Sequence, residues 1–164
     1  MFQRIDRVHF VATAIGFALL CGSGLAGEAT NSTWTQSSHG DVVVISQGDR
    51  VALKDEITNK PFTVVAFVAP WSAACVPAWL RVDGYLAEHA DVAVRVISLP
   101  AEDEEGSRAL PVAQQYLQHV AGVPYFIVFD NVLRPVYVGH HAGEMLETMD
   151  EHRIRVARLD AESK

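Results

Sequence analysis

The sequence contains only two cysteines, Cys21 and Cys75, among 164 residues. They lie far apart along the chain, so no Cys-x-x-Cys pair is present. Closely spaced cysteines are the usual sign of a dithiol redox centre or of a structural zinc site. The sequence therefore predicts neither of these centres, and we expect no metal ion and no bound cofactor.

Basic residues are also scarce. Thirteen Lys and Arg stand against twenty Asp and Glu, which gives a formal net charge of -7. A protein that binds nucleic acid needs a basic face to neutralise phosphates, and no basic cluster occurs in the sequence. We therefore expect no nucleic-acid partner. Because 49% of the residues are hydrophobic and 20% are charged, the chain is predicted to fold as one packed domain.

The sequence lacks an uncharged apolar run of the roughly 20 residues that a membrane-spanning helix needs. The N-terminus has a shorter run, residues 8–20, which follows Arg4 and Arg7 and precedes several small residues. This arrangement is typical of a secretory signal peptide, and the small residues favour cleavage after Ala26. Residues 1–26 are thus predicted to direct export to the periplasm or the medium, with membrane attachment only if the segment stays uncleaved.

Cleavage at that position would remove Cys21 and leave Cys75 as the one thiol of the mature protein. An exported protein with one cysteine cannot form an internal disulfide, although its compartment favours disulfides. Such a thiol is either buried and inert or reactive towards another molecule.

Alternating apolar patterns predict an α/β domain over residues 41–164, after a flexible polar lead-in at residues 27–40. The expected strands are 41–46 and 51–53, joined as a hairpin, then 63–69, 92–99, 125–129 and 134–139. The expected helices are 72–89, 110–120 and a last helix whose apolar face runs from Met145 to Leu159. Helices between strands imply a parallel part of the sheet, and the late hairpin adds an antiparallel part. The predicted architecture is a central mixed β-sheet flanked by helices.

Four segments in the range 50–160 resemble the thioredoxin-like superfamily, in particular its exported branch. They are "VALKDEITNKPFTVVAFVAPW", "WSAAC", "VAQQY" followed by "AGVP", and "YVGHHAGEML". In that family the second segment corresponds to Trp-Cys-x-x-Cys, and the third leads into a cis-proline. The resemblance implies a thioredoxin-like fold and a site for a protein or peptide partner.

The resemblance also assigns individual residues. Pro124 corresponds to the cis-proline that faces the redox loop, and Val123 beside it would offer backbone hydrogen bonds to a bound peptide. The residues expected to line a shallow groove around Cys75 are Trp71, Gly122, Val123, Pro124, Gly139 and His140.

Three positions depart from the family pattern. Ser72 replaces the attacking cysteine, Ala66 replaces the buried acid of the central strand, and Pro77 lies earlier than the usual helix proline. Disulfide exchange needs one thiolate to attack and a second thiol to resolve the mixed disulfide. A serine hydroxyl can do neither, so we interpret Ser72 as a helix N-cap whose side-chain oxygen accepts the Cys75 N–H. We expect Pro77 to displace or kink the first helical turn.

Two functions remain open from the sequence. We favour a binding or accessory protein of thiol–disulfide metabolism that keeps the peptide groove and has lost dithiol chemistry. The alternative is a single-cysteine enzyme that uses Cys75, with Ser72 beside it, either in monothiol exchange or as a peroxiredoxin-like peroxidase. The spacing from Ser72 to Cys75 matches the peroxiredoxin pattern, but Val68 stands where that family has a proline.

Overall fold

The computed structural model describes residues 37 and 39–163. Within them the strands are β1 (Asp41–Ser46), β2 (Phe62–Val68), β3 (Val92–Ser98), β4 (Tyr125–Asp130) and β5 (Pro135–Gly139). The helices are α1 (Leu53–Glu56), α2 (Cys75–Glu88), α3 (Glu104–Ala109), α4 (Pro111–Tyr116) and α5 (Ala142–Glu162). The predicted signal peptide and most of the predicted lead-in lie outside the described residues and stay predictions.

The strands form a single mixed sheet in the order β1-β3-β2-β4-β5. β1, β3 and β2 run parallel to one another, whereas β4 pairs antiparallel with both β2 and β5. Every residue of β2 and of β3 is buried, as expected for strands that are covered on both faces. This arrangement confirms the predicted mixed sheet flanked by helices.

The two faces of the sheet bury two separate apolar clusters. Alternate side chains of a strand point to opposite faces, so Val64 and Ala66 of β2 join one cluster while Val65 and Phe67 join the other. The first cluster is completed by α2 and α5. The second is completed by α1 and α4, and it extends to the end of β3.

The predicted hairpin at the start of the domain is wrong. β1 does not turn back on a second strand but pairs parallel with β3, and the chain leaves the sheet through Gly48, whose φ is 109°. An Arg95 guanidinium on β3 donates to the Asp41 carboxylate at 2.9 Å and holds the start of β1. β1 thereby covers an edge of β3 that a local hairpin would have left unpaired.

The last helix was predicted correctly, but its burial was not. Met145 and Met149 are fully buried, whereas Val156 is 42% exposed and Leu159 is 59% exposed. α5 has 21 residues, or about 31 Å of helix at about 1.5 Å per residue. A strand of seven residues covers only about 23 Å. The C-terminal part of α5 therefore runs past the sheet, and its apolar stripe is exposed there.

The turn between β4 and β5 is built around a buried carboxylate. Asp130 accepts hydrogen bonds from the backbone N–H groups of Val132 and Arg134, at 3.0 and 2.9 Å. Between them Leu133 has a φ of 65° and its side chain is 57% exposed. A left-handed conformation costs a residue other than glycine about 1–2 kcal/mol. Leu133 thus carries strain with little burial to offset it.

We expect Leu133→Gly to raise the free energy of unfolding by roughly 0.5–1 kcal/mol, because relief of the strain exceeds the added entropy of the unfolded chain. Urea unfolding followed by circular dichroism measures the change. Val132→Gly is the matched control, since Val132 is also exposed but has no positive φ, and it should lower stability. A Leu133→Gly variant no more stable than the parent would show that the turn is unstrained.

Candidate functional site

The loop between β2 and α2 places Ser72 against the segment that precedes β4. The Ser72 hydroxyl donates a hydrogen bond to the Val123 carbonyl at 2.9 Å. The predicted N-cap role of Ser72 is wrong, because α2 begins at Cys75 and its N-cap residue is Ala74, which makes no side-chain cap bond. Ser72 lies two residues too early to cap the helix. It connects the loop with the neighbouring segment instead.

Cys75 is the first residue of α2 and is fully buried. Its side chain belongs to the apolar cluster between the sheet and α2, together with Ala66 and Trp79. Burial raises the pKa of the Cys75 thiol, while the hydrogen bond that its sulfur accepts from the Ala69 N–H acts in the opposite direction and only partly offsets the effect of burial. Because Ala66 carries no carboxylate, it cannot accept the thiol proton. The thiol is therefore neutral and shielded at neutral pH.

Pro77 does not disturb the helix. It is the third residue of α2, which runs without interruption to Glu88. The first N–H groups of a helix have no partner inside the helix, so a proline in the first turn removes no hydrogen bond. The expected displacement or kink is absent for this reason.

The Val123–Pro124 peptide bond is cis, which confirms the prediction made from the resemblance. The His140 Nδ1 lies 2.8 Å from the Pro124 carbonyl oxygen. Since a carbonyl can only accept a hydrogen bond, we infer that Nδ1 carries the hydrogen. The His140 ring also lies against Tyr125, with ring centroids 5.1 Å apart. His140 thus supports the cis-proline segment from the β5 side.

Gly139 acts through Tyr137. A Cβ at position 139 would lie 2.6 Å from the Tyr137 hydroxyl oxygen. That hydroxyl accepts from the His141 N–H at 3.2 Å and donates to the His141 carbonyl at 3.1 Å. The absence of a side chain at Gly139 therefore leaves room for a contact that holds the start of α5, and Gly139 borders neither of the two depressions described next.

The predicted groove residues border two depressions instead of one. The first, here called the cis-proline groove, lies between the start of α2, the Pro124 segment and the start of α5. Its lining includes Gly122, Val123, Pro124 and His140, as predicted, together with Arg81 and Glu144, which the sequence did not single out. Nothing in the sequence marks these two charged residues, because only the folded chain brings their helices together.

Trp71 borders the second depression, here called the Trp71 pocket, which lies on the other side of Gly122 and Val123. The Trp71 indole N–H donates to the Ser107 hydroxyl on α3 at 2.7 Å. Sequence reasoning missed Ser107, which has no recognisable motif around it. Cys75 borders neither depression. In place of the expected groove around an accessible thiol, the structure has two depressions and a buried thiol that neither of them reaches.

Across residues 37 and 39–163, no three or more His, Cys, Asp and Glu side chains are placed to hold a metal ion. No helix in this part of the chain has the length and apolar character required to cross a bilayer.

No protein-family model matches the sequence, and no curated protein matches it. Solved structures similar to the chain include a thioredoxin from Trypanosoma brucei brucei, at 14% identity and a TM-score of 0.48, covering 66% of this chain and 89% of that one. Thioredoxin f2 from Chlamydomonas reinhardtii is 15% identical, with a TM-score of 0.47 and coverage of 67% and 96%. The Fasciola hepatica thioredoxin is 23% identical, with a TM-score of 0.43 and coverage of 61% and 88%.

These similarities assign no role to any residue of this chain. The strand order, the mixed pairing and the helices on both faces make this a thioredoxin-like fold.

We expect Cys75 to react slowly with an alkylating reagent such as iodoacetamide in the folded protein. Only the thiolate form reacts, and burial disfavours that form. Because the pKa of Cys75 is raised, the labelling rate should reach half its maximum at a higher pH than it does for a free cysteine. Labelling is measured by mass spectrometry at several pH values in a Cys21→Ser chain, with and without urea. Fast labelling of the folded chain near neutral pH, equal to that in urea, would contradict the buried thiol.

Proposed function

We propose that the domain is an exported, peptide-binding accessory protein of thiol–disulfide metabolism and not a dithiol oxidoreductase. The proposal rests on the structure at Ser72 and Cys75, the two positions that correspond to the Cys-x-x-Cys motif of the thioredoxin-like superfamily. Cys75 is fully buried with a raised pKa, and the Ser72 hydroxyl is engaged by the Val123 carbonyl.

Thiol–disulfide exchange requires an accessible thiolate that attacks a sulfur and a second thiol that releases the product. A serine hydroxyl supplies neither, and its hydrogen here points at a backbone carbonyl. The buried Cys75 also argues against the single-cysteine alternatives, because monothiol exchange and peroxide reduction both need an exposed thiolate.

The cis-proline groove supports the binding half of the proposal. Among the described residues no group accepts a hydrogen bond from the Val123 N–H, and Val123 borders the groove. An extended peptide could accept from this N–H in the manner of an added strand. Arg81 and Glu144 place one charge of each sign on the walls, so the groove offers partners for polar side chains on either side.

Export is proposed from the N-terminal sequence, whose basic residues, apolar run and small residues have the order of a signal peptide. The low cysteine content agrees with this location, because a single covered thiol does not form unwanted disulfides in an oxidising compartment.

The chain should not catalyse the reduction of insulin by dithiothreitol at a rate above that of a Cys75→Ala variant. Turbidity of the released insulin chains measures the rate. A reaction that is fast with the parent chain and absent with Cys75→Ala would overturn the proposal, because the thiol would then exchange with disulfides.

Ser72→Cys should supply the missing thiol and form an internal disulfide with Cys75. The Cys75 N–H bonds to the Ser72 carbonyl at 3.0 Å, so the two residues span one tight turn, within the roughly 7 Å between Cα atoms that a disulfide allows. Non-reducing mass spectrometry of the oxidised variant, in a Cys21→Ser chain, detects the bond. Slow insulin reduction should appear with it.

Ser163→Cys in the same background is the matched control, since it adds a thiol at the C-terminal end of α5, where no internal disulfide should form. If the folded Ser72→Cys variant keeps two free thiols under oxidant, the loop is not a redox loop with one side chain changed.

A further inference from the structure

The Trp71 pocket is a half-open, preformed depression of about 240 Å³ with a mostly apolar lining. Its apolar lining consists of Trp71, Leu99, Ala113, Leu117, Val120 and Val123. Leu99, Ala113 and Leu117 also belong to the second apolar cluster, on the face of the sheet that α1 and α4 cover. The walls of the pocket are therefore part of the packed core and need no rearrangement to accept an apolar group.

Polar contacts hold the mouth of the pocket in place. Ser107 is only 2% exposed and accepts the Trp71 indole hydrogen bond at 2.7 Å, which fixes the ring that forms one wall. On the rim Arg108 pairs with Glu104 at 2.6 Å and donates to the Val120 and Ala121 carbonyls at 3.4 and 3.3 Å. A pocket that is already ordered loses little conformational entropy when a ligand enters.

The size of the pocket limits what it can hold. A cavity of about 150 Å³ lined by apolar side chains binds benzene, whereas sites for drug-sized ligands and cofactors measure about 300–1,000 Å³. The volume here lies between these values. It suits one large apolar side chain, such as phenylalanine or leucine, and is too small for a typical organic cofactor.

The pocket adjoins the cis-proline groove, because Gly122 and Val123 border both depressions. Successive side chains of an extended peptide point to opposite sides and advance by about 3.3 Å per residue. A peptide that accepts a hydrogen bond from the Val123 N–H would therefore have a side chain within reach of the pocket.

We propose that the Trp71 pocket binds one large apolar side chain, preferentially an aromatic one, of the peptide that occupies the cis-proline groove, so that the pocket determines peptide specificity. This inference rests on the proposed peptide-binding function. The tryptophan of the redox-loop segment then serves as a wall of a recognition pocket in a domain without dithiol chemistry.

The pocket is tested first with a single side chain. N-acetyl-phenylalanine amide is titrated into the ¹⁵N-labelled chain carrying Cys21→Ser, and N-acetyl-alanine amide is the comparison. The phenylalanine compound should shift the Trp71 indole signal and the Leu117 and Val120 amide signals, with an affinity roughly 10- to 100-fold above that of the alanine compound. Equal, unsaturated shifts with both compounds would overturn the proposal.

Gln114→Phe should abolish the shifts, because Gln114 is exposed and borders the pocket, so a ring there fills it. His119→Phe is the matched control, since His119 is also exposed but does not border the pocket, and it should bind as the parent does. Persistence of the shifts in folded Gln114→Phe would place the phenylalanine compound elsewhere and overturn the proposal.

Selection from a random octapeptide display library separates this proposal from the proposed function. Selected peptides should share one large apolar position and should lose binding to Gln114→Phe. They should also lose binding to Ala74→Trp, since Ala74 borders the groove but not the pocket. Peptides that depend on Ala74 alone, without a shared apolar position, would overturn the pocket proposal and leave the peptide-binding function standing. Failure to select any peptide would overturn both.

Discussion

The burial of β2 on both faces is the constraint on which the rest of the molecule depends. All seven residues of this strand are buried, and it pairs with β3 on one side and β4 on the other. A strand without polar side chains at its centre can be stable only when helices cover both faces and neighbouring strands take all its backbone hydrogen bonds. The chain then leaves the sheet at the C-terminal end of β2, after Val68, and the site forms there.

At that end of β2 two segments distant in sequence are joined by one hydrogen bond, from the Ser72 hydroxyl to the Val123 carbonyl. The bond gives a buried hydroxyl its acceptor, which such a group needs when water is excluded. It also occupies the position at which a redox loop would present its attacking group. The contact thus supports the loop, while the lack of dithiol chemistry in our proposal follows from the serine itself and from the burial of Cys75.

A second layer of contacts holds the cis-proline segment from the other side. His140 binds the Pro124 carbonyl, while Tyr137 fits into the space left by Gly139 and bonds to the backbone of His141. Gly139 and His140 were both predicted as groove residues. His140 does line the cis-proline groove and also supports the Pro124 segment, whereas Gly139 lines neither depression and acts only through Tyr137. Trp71 and Ser107, which shape the proposed recognition surface, meet only because α3 lies against the loop between β2 and α2.

The sequence by itself determined the strands β2 to β5 and the helices α2 and α5. Through the family resemblance it also indicated the cis-proline at Pro124 and a groove lined by Val123 and Pro124. Local apolar periodicity and the family resemblance are both readable along the chain. It did not determine that β1 pairs with β3, an arrangement held by the hydrogen bond between Asp41 and Arg95, which is 54 positions away. Nor did it determine the bond made by Ser72, the burial of Cys75 or the pocket beside Trp71. Each of these depends on which distant segments approach a residue, and therefore only the tertiary structure decided them.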